Sequence, residues 1–265
     1  MIELAKRTLF INPNIEFLSN STIVEYDMKD AGFSLIKKYD MLPKEKIKEL
    51  EDLGNKKNEF DKKYWKHKKD EAIGKLQRKD RSLSDKLKVA FEIERESFIK
   101  KNDLSEDQII SIKKDAFFLN VKGKKIDGKI DEYINFRKKN EYTSYLYIKP
   151  IEIYFNYEKG MDIKGIGDDQ YNLHKDYMIK FINRVLHEYE TRDITSVLYT
   201  IRTFIDQYKS LSLDSGYYRE FNASSKFVYL DGEMSEIEYR EDKEELNIMH
   251  NYNITIELLM KIMNN

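Results

Sequence analysis

The chain has 265 residues and nearly balanced charge, with 47 lysines and arginines against 48 aspartates and glutamates. It contains no cysteine, which excludes disulfide frameworks and thiolate metal sites. No apolar run approaches the roughly 20 residues of a membrane span, and the first residues lack the apolar core of a signal peptide. We therefore expect a cytoplasmic protein without a membrane partner.

Positive charge is concentrated in one stretch of the chain. Residues 37–101 contain 21 basic and 14 acidic residues, a net charge of +7, whereas residues 186–265 contain 8 and 15, a net charge of −7. A basic segment can attract phosphates even when the whole chain is neutral. Lysine-rich helices are also commonly solvated faces, so both interpretations stay open.

The N-terminal half begins with strand-like residues and becomes helical. Residues 8–11 and 22–26 are rich in β-branched and aromatic side chains, as in strands. Helical spacing begins after Asp30, a residue type that caps helices, and Pro43 begins another helix that ends near Gly54. Residues 55–102 are highly charged and predicted to be largely helical.

The second half is β-rich at first and then helical. Strands are predicted at residues 109–112, 116–121, 130–136, 142–148, 151–157 and 162–166. Helices are predicted over residues 169–209, followed by a possible strand at 226–230 and a closing helix over 241–265. Runs of strands beside runs of helices indicate an α+β fold.

Two aspartates interrupt apolar strand-like runs. Asp27 follows one strand, and Asp115 lies between the two strands of a predicted hairpin. Strand alternation places Glu25 on the same face as Asp27. Two strand-borne carboxylates can hold two magnesium ions about 3.5–4 Å apart, which is the geometry of phosphoryl transfer. Alternatively, each aspartate simply ends a strand in a turn.

In their order, these motifs resemble the palm region of a family B DNA polymerase, of a phage type that is minimal or split. Residues 27–34 (DMKDAGFS) resemble its first palm motif, D-x-x-S-L-Y-P-S, and residues 113–116 (KKDA) resemble its D-T-D-S hairpin. Residues 137–142 (RKKNEY) resemble its K-K-x-Y element, and Lys164-Gly165 resembles its K-G element. The resemblance covers about residues 20–210.

The resemblance implies a palm-like antiparallel sheet formed by residues 1–36 and 103–167. Residues 37–102 would form a basic, helical fingers-like insertion, and residues 168–265 a helical thumb-like region. It further implies a nucleotidyltransferase of DNA replication in the cytoplasm of a bacterial or phage-infected host. Its partners would be DNA primer–template and dNTP, with further polymerase subunits if the enzyme is split.

The resemblance also assigns roles to individual residues. Asp27 and Asp115 would be catalytic ligands of Mg²⁺. Lys75, Arg78, Lys79, Lys86 and Lys88 could meet the incoming nucleotide, and the contacts are assigned to Arg78, Lys79 and Lys86. Contacts to the primer strand are expected from Lys139, Tyr142 and Lys164. For these basic residues a solvated helix face, and for Tyr142 an ordinary sheet position, are the competing interpretations.

Two departures from the family pattern leave catalysis open. Lys113 occupies the position of the first acid of the second motif, and Gly32 or Phe33 replaces the steric-gate tyrosine. One alternative is therefore a non-catalytic, polymerase-derived or phage-encoded binding or inhibitory protein. Another is a magnesium-dependent nuclease, which residues 127–131 (DGKID) suggest.

Overall fold

Helices and antiparallel strands are mixed along the chain, and the α+β class predicted from the sequence is confirmed. The computed structural model describes residues 2–55, 62–149, 151–191, 193–218, 227–230, 233–236 and 244–264. The chain divides into two units. The first contains Met1–Asn12 and Val24–Glu141, and the second contains Pro13–Ile23 and Tyr142–Asn265.

The regular elements of the described residues have the following bounds. The strands are β1 (Leu9–Ile11), β2 (Phe17–Leu18), β3 (Ile23–Met28), β4 (Ile109–Lys113), β5 (Ala116–Asn120), β6 (Phe136–Tyr142), β7 (Ser144–Ile148), β8 (Ile151–Asn156), β9 (Gly160–Lys164), β10 (Phe227–Leu230) and β11 (Glu233–Glu236). The helices are α1 (Ile2–Ala5), α2 (Ala31–Lys38), α3 (Lys44–Gly54), α4 (Lys62–Lys79), α5 (Arg81–Lys101), α6 (Asp168–His174), α7 (Met178–Thr191), α8 (Ile194–Lys209) and α9 (Glu244–Met263).

The first unit is built on a five-stranded sheet with the order β1-β4-β5-β3-β6. Strand β4 pairs antiparallel with β1 on one side and with β5 on the other. The tight turn between β4 and β5 contains Lys114, whose φ of 54° is in the left-handed region. The strand that contains Asp27 therefore lies directly beside the hairpin whose turn contains Asp115.

An aromatic cluster joins helix α5 to this sheet. The ring of Phe98 is fully buried, and its centroid lies 4.9 Å from that of Phe117 and 4.4 Å from that of Phe136. Burying one such side chain contributes about 1.5–3 kcal/mol. Tyr26 of β3 packs on the same phenylalanine at 5.8 Å, so the face of β3 opposite Asp27 is held in the core.

Helices α2 to α5 follow β3 and precede the hairpin. Helix α3 packs against α4, and α4 packs against α5. The side chain of Asp80 caps α5 by accepting the N–H of Ser82 at 2.9 Å. The basic stretch of the sequence is thus largely helical over its described residues, as the periodicity predicts.

The second unit contains an antiparallel four-stranded sheet with the order β2-β7-β8-β9. Apolar faces of α7, α8 and α9 form one core with this sheet. In that core the rings of Phe181 and Phe204 stack at 3.7 Å. The amphipathic helical pattern of residues 169–209 therefore reflects packing on a sheet.

The strand predicted at residues 130–136 is wrong. Residues 130–135 are irregular apart from an isolated bridge at Asn135, because Asp131 Oδ1 accepts the N–H groups of Tyr133 at 2.8 Å and Ile134 at 2.9 Å. Such side-chain bonds compete with strand pairing. The strand lies instead over Phe136–Tyr142, where a run of charged residues hides the usual β pattern.

At the C-terminus the predicted strand and closing helix are present over the described residues, whereas β11 (Glu233–Glu236) is a strand that the sequence analysis did not predict. Strand β10 covers Phe227–Leu230, and residue 226 lies outside the described residues. Helix α9 covers Glu244–Met263, while residues 241–243 and 265 also lie outside them.

The three predicted regions, palm-like, fingers-like and thumb-like, stay predictions. The strands of the palm-like part, residues 1–36 and 103–167, are found in two different sheets. The helices of the fingers-like part, residues 37–102, belong to the first unit, and the helices of the thumb-like part, residues 168–265, belong to the second.

Candidate functional site

The structure brings Asp27 and Asp115 together. Asp27 lies on β3 and Asp115 lies in the turn of the adjacent hairpin. The backbone N–H of Met28 donates to the carbonyl oxygen of Asp115 at 3.0 Å. Both side chains are partly exposed and line the same cleft. The two acids that the sequence singles out are therefore neighbours on one surface.

Strand alternation explains how β3 presents its acid. Val24, Tyr26 and Met28 are buried in the core cluster. Asp27 therefore lies on the opposite face, together with Glu25. Glu25 is itself buried. It accepts hydrogen bonds from two residues of β6, Lys139 at 3.0 Å and Asn140. Of the two acids on this face of β3, only Asp27 lines the cleft.

The two aspartates influence each other electrostatically. Burial raises the pKa of Asp115, and the negative charge of Asp27 raises that pKa further. The positive charges of Lys114 and Lys139 act in the opposite direction. On β6, Arg137 Nη2 lies 3.9 Å from Asp27 Oδ2. The two acids thus repel each other, and neighbouring cations offset part of this repulsion.

The cleft beside the two acids has a volume of about 920 Å³. One wall is formed by α4 and α5, and the other by the ends of β1, β3 and β4 and the start of α2. Its charged lining residues are Asp27, Asp30, Lys66, Asp70, Lys88, Arg95, Lys113, Lys114 and Asp115. The cleft therefore presents acids and bases side by side, as a site for a phosphate ester with a divalent cation requires.

The three cations predicted to meet a nucleotide do not line this cleft. Lys79 lies in a groove between α3 and α4, and Lys86 lies beside Tyr39 in another groove. Arg78 Nε donates to the carbonyl of Gly74 at 3.3 Å. On the helices, the lysines that line the cleft are Lys66, which was not predicted, and Lys88, one of the wider set of candidates.

The phase of α5 would have identified part of this wall. Ser84, Leu87, Lys88, Phe91 and Arg95 line the cleft and recur with a spacing of three or four residues, which places them on one helix face. The sequence does not show which face of a basic helix packs toward the sheet, because packing sets the rotation of the helix. The distance of a residue from Asp27 along the chain does not predict whether it lies on that face.

The residues predicted to contact a primer are engaged with acids. The hydroxyl of Tyr142 donates to Asp162 Oδ2 at 2.9 Å, and Lys164 Nζ lies 2.8 Å from the same oxygen. The structure therefore brings Tyr142 and Lys164 together in the second unit. Lys139 lies in the first unit, where it pairs with Glu25.

Sequence reasoning missed Arg95. Its side chain is fully buried, with Nε donating to the carbonyl of Ala5 at 2.7 Å and Nη1 donating to the carbonyl of Lys114 at 2.8 Å. Burial lowers the pKa of Arg95, while the charges of Glu92 and Asp115 oppose this shift. An arginine inside an otherwise buried helix face is the signal that could have identified it.

Asp30 forms the rim of the cleft at the start of α2. Its φ is 54°, and its carboxylate pairs with the buried Lys69 without capping the helix through its side chain. Lys69 in turn lies 4.4 Å from the ring of Phe33. At the two positions that replace the family's steric-gate tyrosine, Gly32 lines the cleft and Phe33 lies in the core.

The donor set fits Mg²⁺ in part. Magnesium prefers oxygen ligands and usually retains water and substrate phosphate in its coordination shell. Within the described ranges, no three histidine, aspartate or glutamate side chains are arranged to hold a metal ion. Asp27 and Asp115 could therefore hold magnesium only with further oxygen ligands from substrate, water or another chain.

Comparison with known proteins places nearly the whole chain in one family. A family model described as Bacteriophage PBS1 gene 130 protein matches residues 1–264. The chain belongs to this phage family. The phage part of the expectation is thereby confirmed, while the description of the family mentions no polymerase. A search of curated proteins finds no match.

Among the helices of the described residues, none is both long enough and apolar enough to cross a membrane.

Proposed function

We propose that this member of the phage family is a template-dependent nucleotidyltransferase with a DNA-polymerase-like palm, acting in the cytoplasm of an infected host. The observation that carries the proposal is the meeting of Asp27 and Asp115 in a cleft walled by basic helices. Residues separated by 88 positions in sequence would converge in this way if they shared a metal-dependent site.

The chemistry assigned to the site is in-line phosphoryl transfer from a dNTP to a primer hydroxyl. When bound, two magnesium ions would supply charge neutralisation and activation of that hydroxyl. Asp27 and Asp115 would hold them, with phosphate oxygens completing the coordination. Lys66 and Lys88 line the same cleft from the helical wall and would attract the triphosphate.

The contacts to a primer strand are proposed separately. Lys139 is about half exposed on β6 and could reach a phosphate beyond its bond to Glu25. Tyr142 is buried, and Lys164 shares Asp162 with it. Of the three predicted primer residues, Lys139 is therefore the best placed for a backbone contact.

A second candidate is a non-catalytic binding protein derived from a polymerase or directed at a host complex. Lys113 favours this candidate, because this lysine stands where family B DNA polymerases have an acid. Lys113 also lines the same cleft as the two aspartates. A subunit of a split polymerase, which would receive further ligands from a partner chain, is intermediate between the two candidates.

The nuclease alternative has weaker support. Asp127 pairs with Lys101 at 2.8 Å and caps the N–H of Lys129. Asp131 pairs with Lys38 and bonds backbone amides. Neither aspartate lines the cleft, so structural bonds account for both.

Primer extension tests the leading proposal. The purified protein is incubated with a labelled primer–template, dNTPs and Mg²⁺, and Asp27→Asn and Asp115→Asn are each expected to abolish extension. Asp127→Asn is the matched control, because it removes an exposed aspartate outside the cleft and should retain activity. Extension at the native rate by both cleft variants would reject the assignment.

Two further arms separate the other candidates. Incubation of labelled duplex with Mg²⁺ and no nucleotide detects cleavage, which would favour the nuclease. Titration with Mn²⁺, followed by electron paramagnetic resonance, detects metal binding without requiring turnover. A protein that binds no metal but binds a phage or host protein tightly would be the non-catalytic candidate.

A further inference from the structure

Arg95 is a buried cation with an incomplete set of partners. The residue is fully buried, two of its guanidinium nitrogens donate to backbone carbonyls, and Nη2 has no hydrogen-bond partner among the described residues. Nor does any described carboxylate form an ion pair with it at 4 Å or less. Burying a charge without a paired acid is costly, so a compensating role is expected.

The two carbonyls that Arg95 holds belong to distant segments. One is that of Ala5, at the end of α1, and the other is that of Lys114, directly before Asp115 in the hairpin turn. The turn is also held by the N–H of Lys114, which donates to the carbonyl of Thr8 at 2.7 Å. The position of Asp115 is therefore fixed through its neighbour, from a helix that walls the cleft.

The left-handed backbone makes this turn sensitive to such a bond. Lys114 has a φ of 54°, a left-handed conformation that is strained for a residue other than glycine. A charge-assisted bond to the Lys114 carbonyl offsets this strain. Without it, the turn that carries Asp115 would relax.

We propose that Arg95 is a positioning residue for Asp115: it holds the hairpin turn so that this carboxylate stays beside Asp27 in the cleft. The metal-binding part of this inference rests on the proposed function. The guanidinium itself is covered, so it acts through the turn and through its charge, without touching substrate. The role assigned to it is comparable to that of the outer-shell groups that orient metal ligands.

The experiment compares Arg95→Met, which removes the charge and both bonds, with Arg95→Lys, which keeps the charge. Arg81→Met is the control, because Arg81 is an exposed arginine on the same helix. Mn²⁺ affinity is measured by electron paramagnetic resonance without nucleotide. We expect Arg95→Met to weaken binding by about 10- to 100-fold, Arg95→Lys to recover part of the loss, and the control to bind as the native protein does.

Primer extension adds a readout that a merely structural role would not produce. Arg95→Met should lower kcat while leaving the KM for primer–template near its native value, because Arg95 contacts no substrate. Partial recovery of kcat in Arg95→Lys would support positioning. A folded Arg95→Met variant with native Mn²⁺ affinity and native kcat would overturn the proposal.

Hydrogen exchange keeps the two proposals distinguishable. The amides of Met28 and Lys114 donate to carbonyls of Asp115 and Thr8, and both should exchange faster in Arg95→Met, whatever the activity of the protein. If Arg95→Met does not fold, Arg95→Lys decides by the same amides. Native protection in the folded variant refutes positioning, whereas absent Mn²⁺ binding by the native protein refutes only the proposed function.

Discussion

Replacing Asp115 by asparagine should stabilise the metal-free protein while removing its proposed metal site. Burial and the charge of Asp27 raise the pKa of Asp115, which means that the folded state disfavours the ionised carboxylate. Asparagine has nearly the same shape and no charge. The substitution therefore removes an unfavourable interaction that native folding has to overcome.

The expected gain is modest because Asp115 is only partly buried. Single stabilising substitutions, including those that optimise surface charge, commonly gain about 0.5–2 kcal/mol. We expect about 1 kcal/mol, which in a chain of this size raises the Tm by about 2–4 °C. In EDTA the rise should be visible by differential scanning calorimetry, and in Mn²⁺ the native protein should regain part of the difference.

Asp131→Asn is the matched control, for which we expect a change in folding stability of the opposite sign. Burial acts to raise the pKa of Asp131, but bonds from Lys38 and from the N–H groups of Ile134 and Tyr133 outweigh it, so the pKa is lowered. Lys38 Nζ lies 2.6 Å from the carboxylate. Because asparagine cannot form this ion pair, the control should lose about 0.5–1.5 kcal/mol.

The pH dependence follows from the two directions of shift. The pKa of Asp115 is raised, so the advantage of Asp115→Asn is full at neutral pH and fades as the pH falls through the folded pKa toward 3.8, the unperturbed value. The pKa of Asp131 is lowered, so the stability that Asp131 provides is complete well above pH 3.8 and is lost progressively as the pH falls through 3.8 and then through the lower folded pKa. A lower Tm for Asp115→Asn in EDTA at neutral pH would refute the electrostatic interpretation.

Two further predictions concern the walls of the cleft. Gly32→Ala should raise the free energy of unfolding, measured in urea, by about 0.5–1 kcal/mol. Gly32 is helical, and an added Cβ would meet Ile73 Cγ2 at 3.7 Å, an ordinary contact. A lower free energy of unfolding would show that the cleft needs this space. Lys66→Gln and Lys88→Gln should each reduce the slope of log affinity for labelled duplex DNA against log salt by about 1, measured by fluorescence anisotropy. Arg78→Gln, outside the cleft, should leave that slope unchanged, and equal effects of all three would contradict the placement of the phosphate site.

Local patterns predicted the elements that carry the acids. Buried apolar side chains around Asp27 and on both sides of Asp115 indicated a strand and a hairpin, and both are present. The strand predicted at residues 130–136 is wrong, because the hydrogen bonds between Asp131 and backbone amides outweigh β propensity there. Local composition does not report such competition.

By itself the sequence determined the α+β class, the helical nature of the basic stretch and the shared face of Glu25 and Asp27, since these follow from hydrophobic periodicity over a few residues. Only the tertiary structure decided that β5 lies beside β3, that Lys66 and Lys88 line the cleft of the two acids, and that Arg95 holds the turn before Asp115. The physical reason is that strand order and the rotation of a helix about its axis are set by packing between segments far apart in the chain.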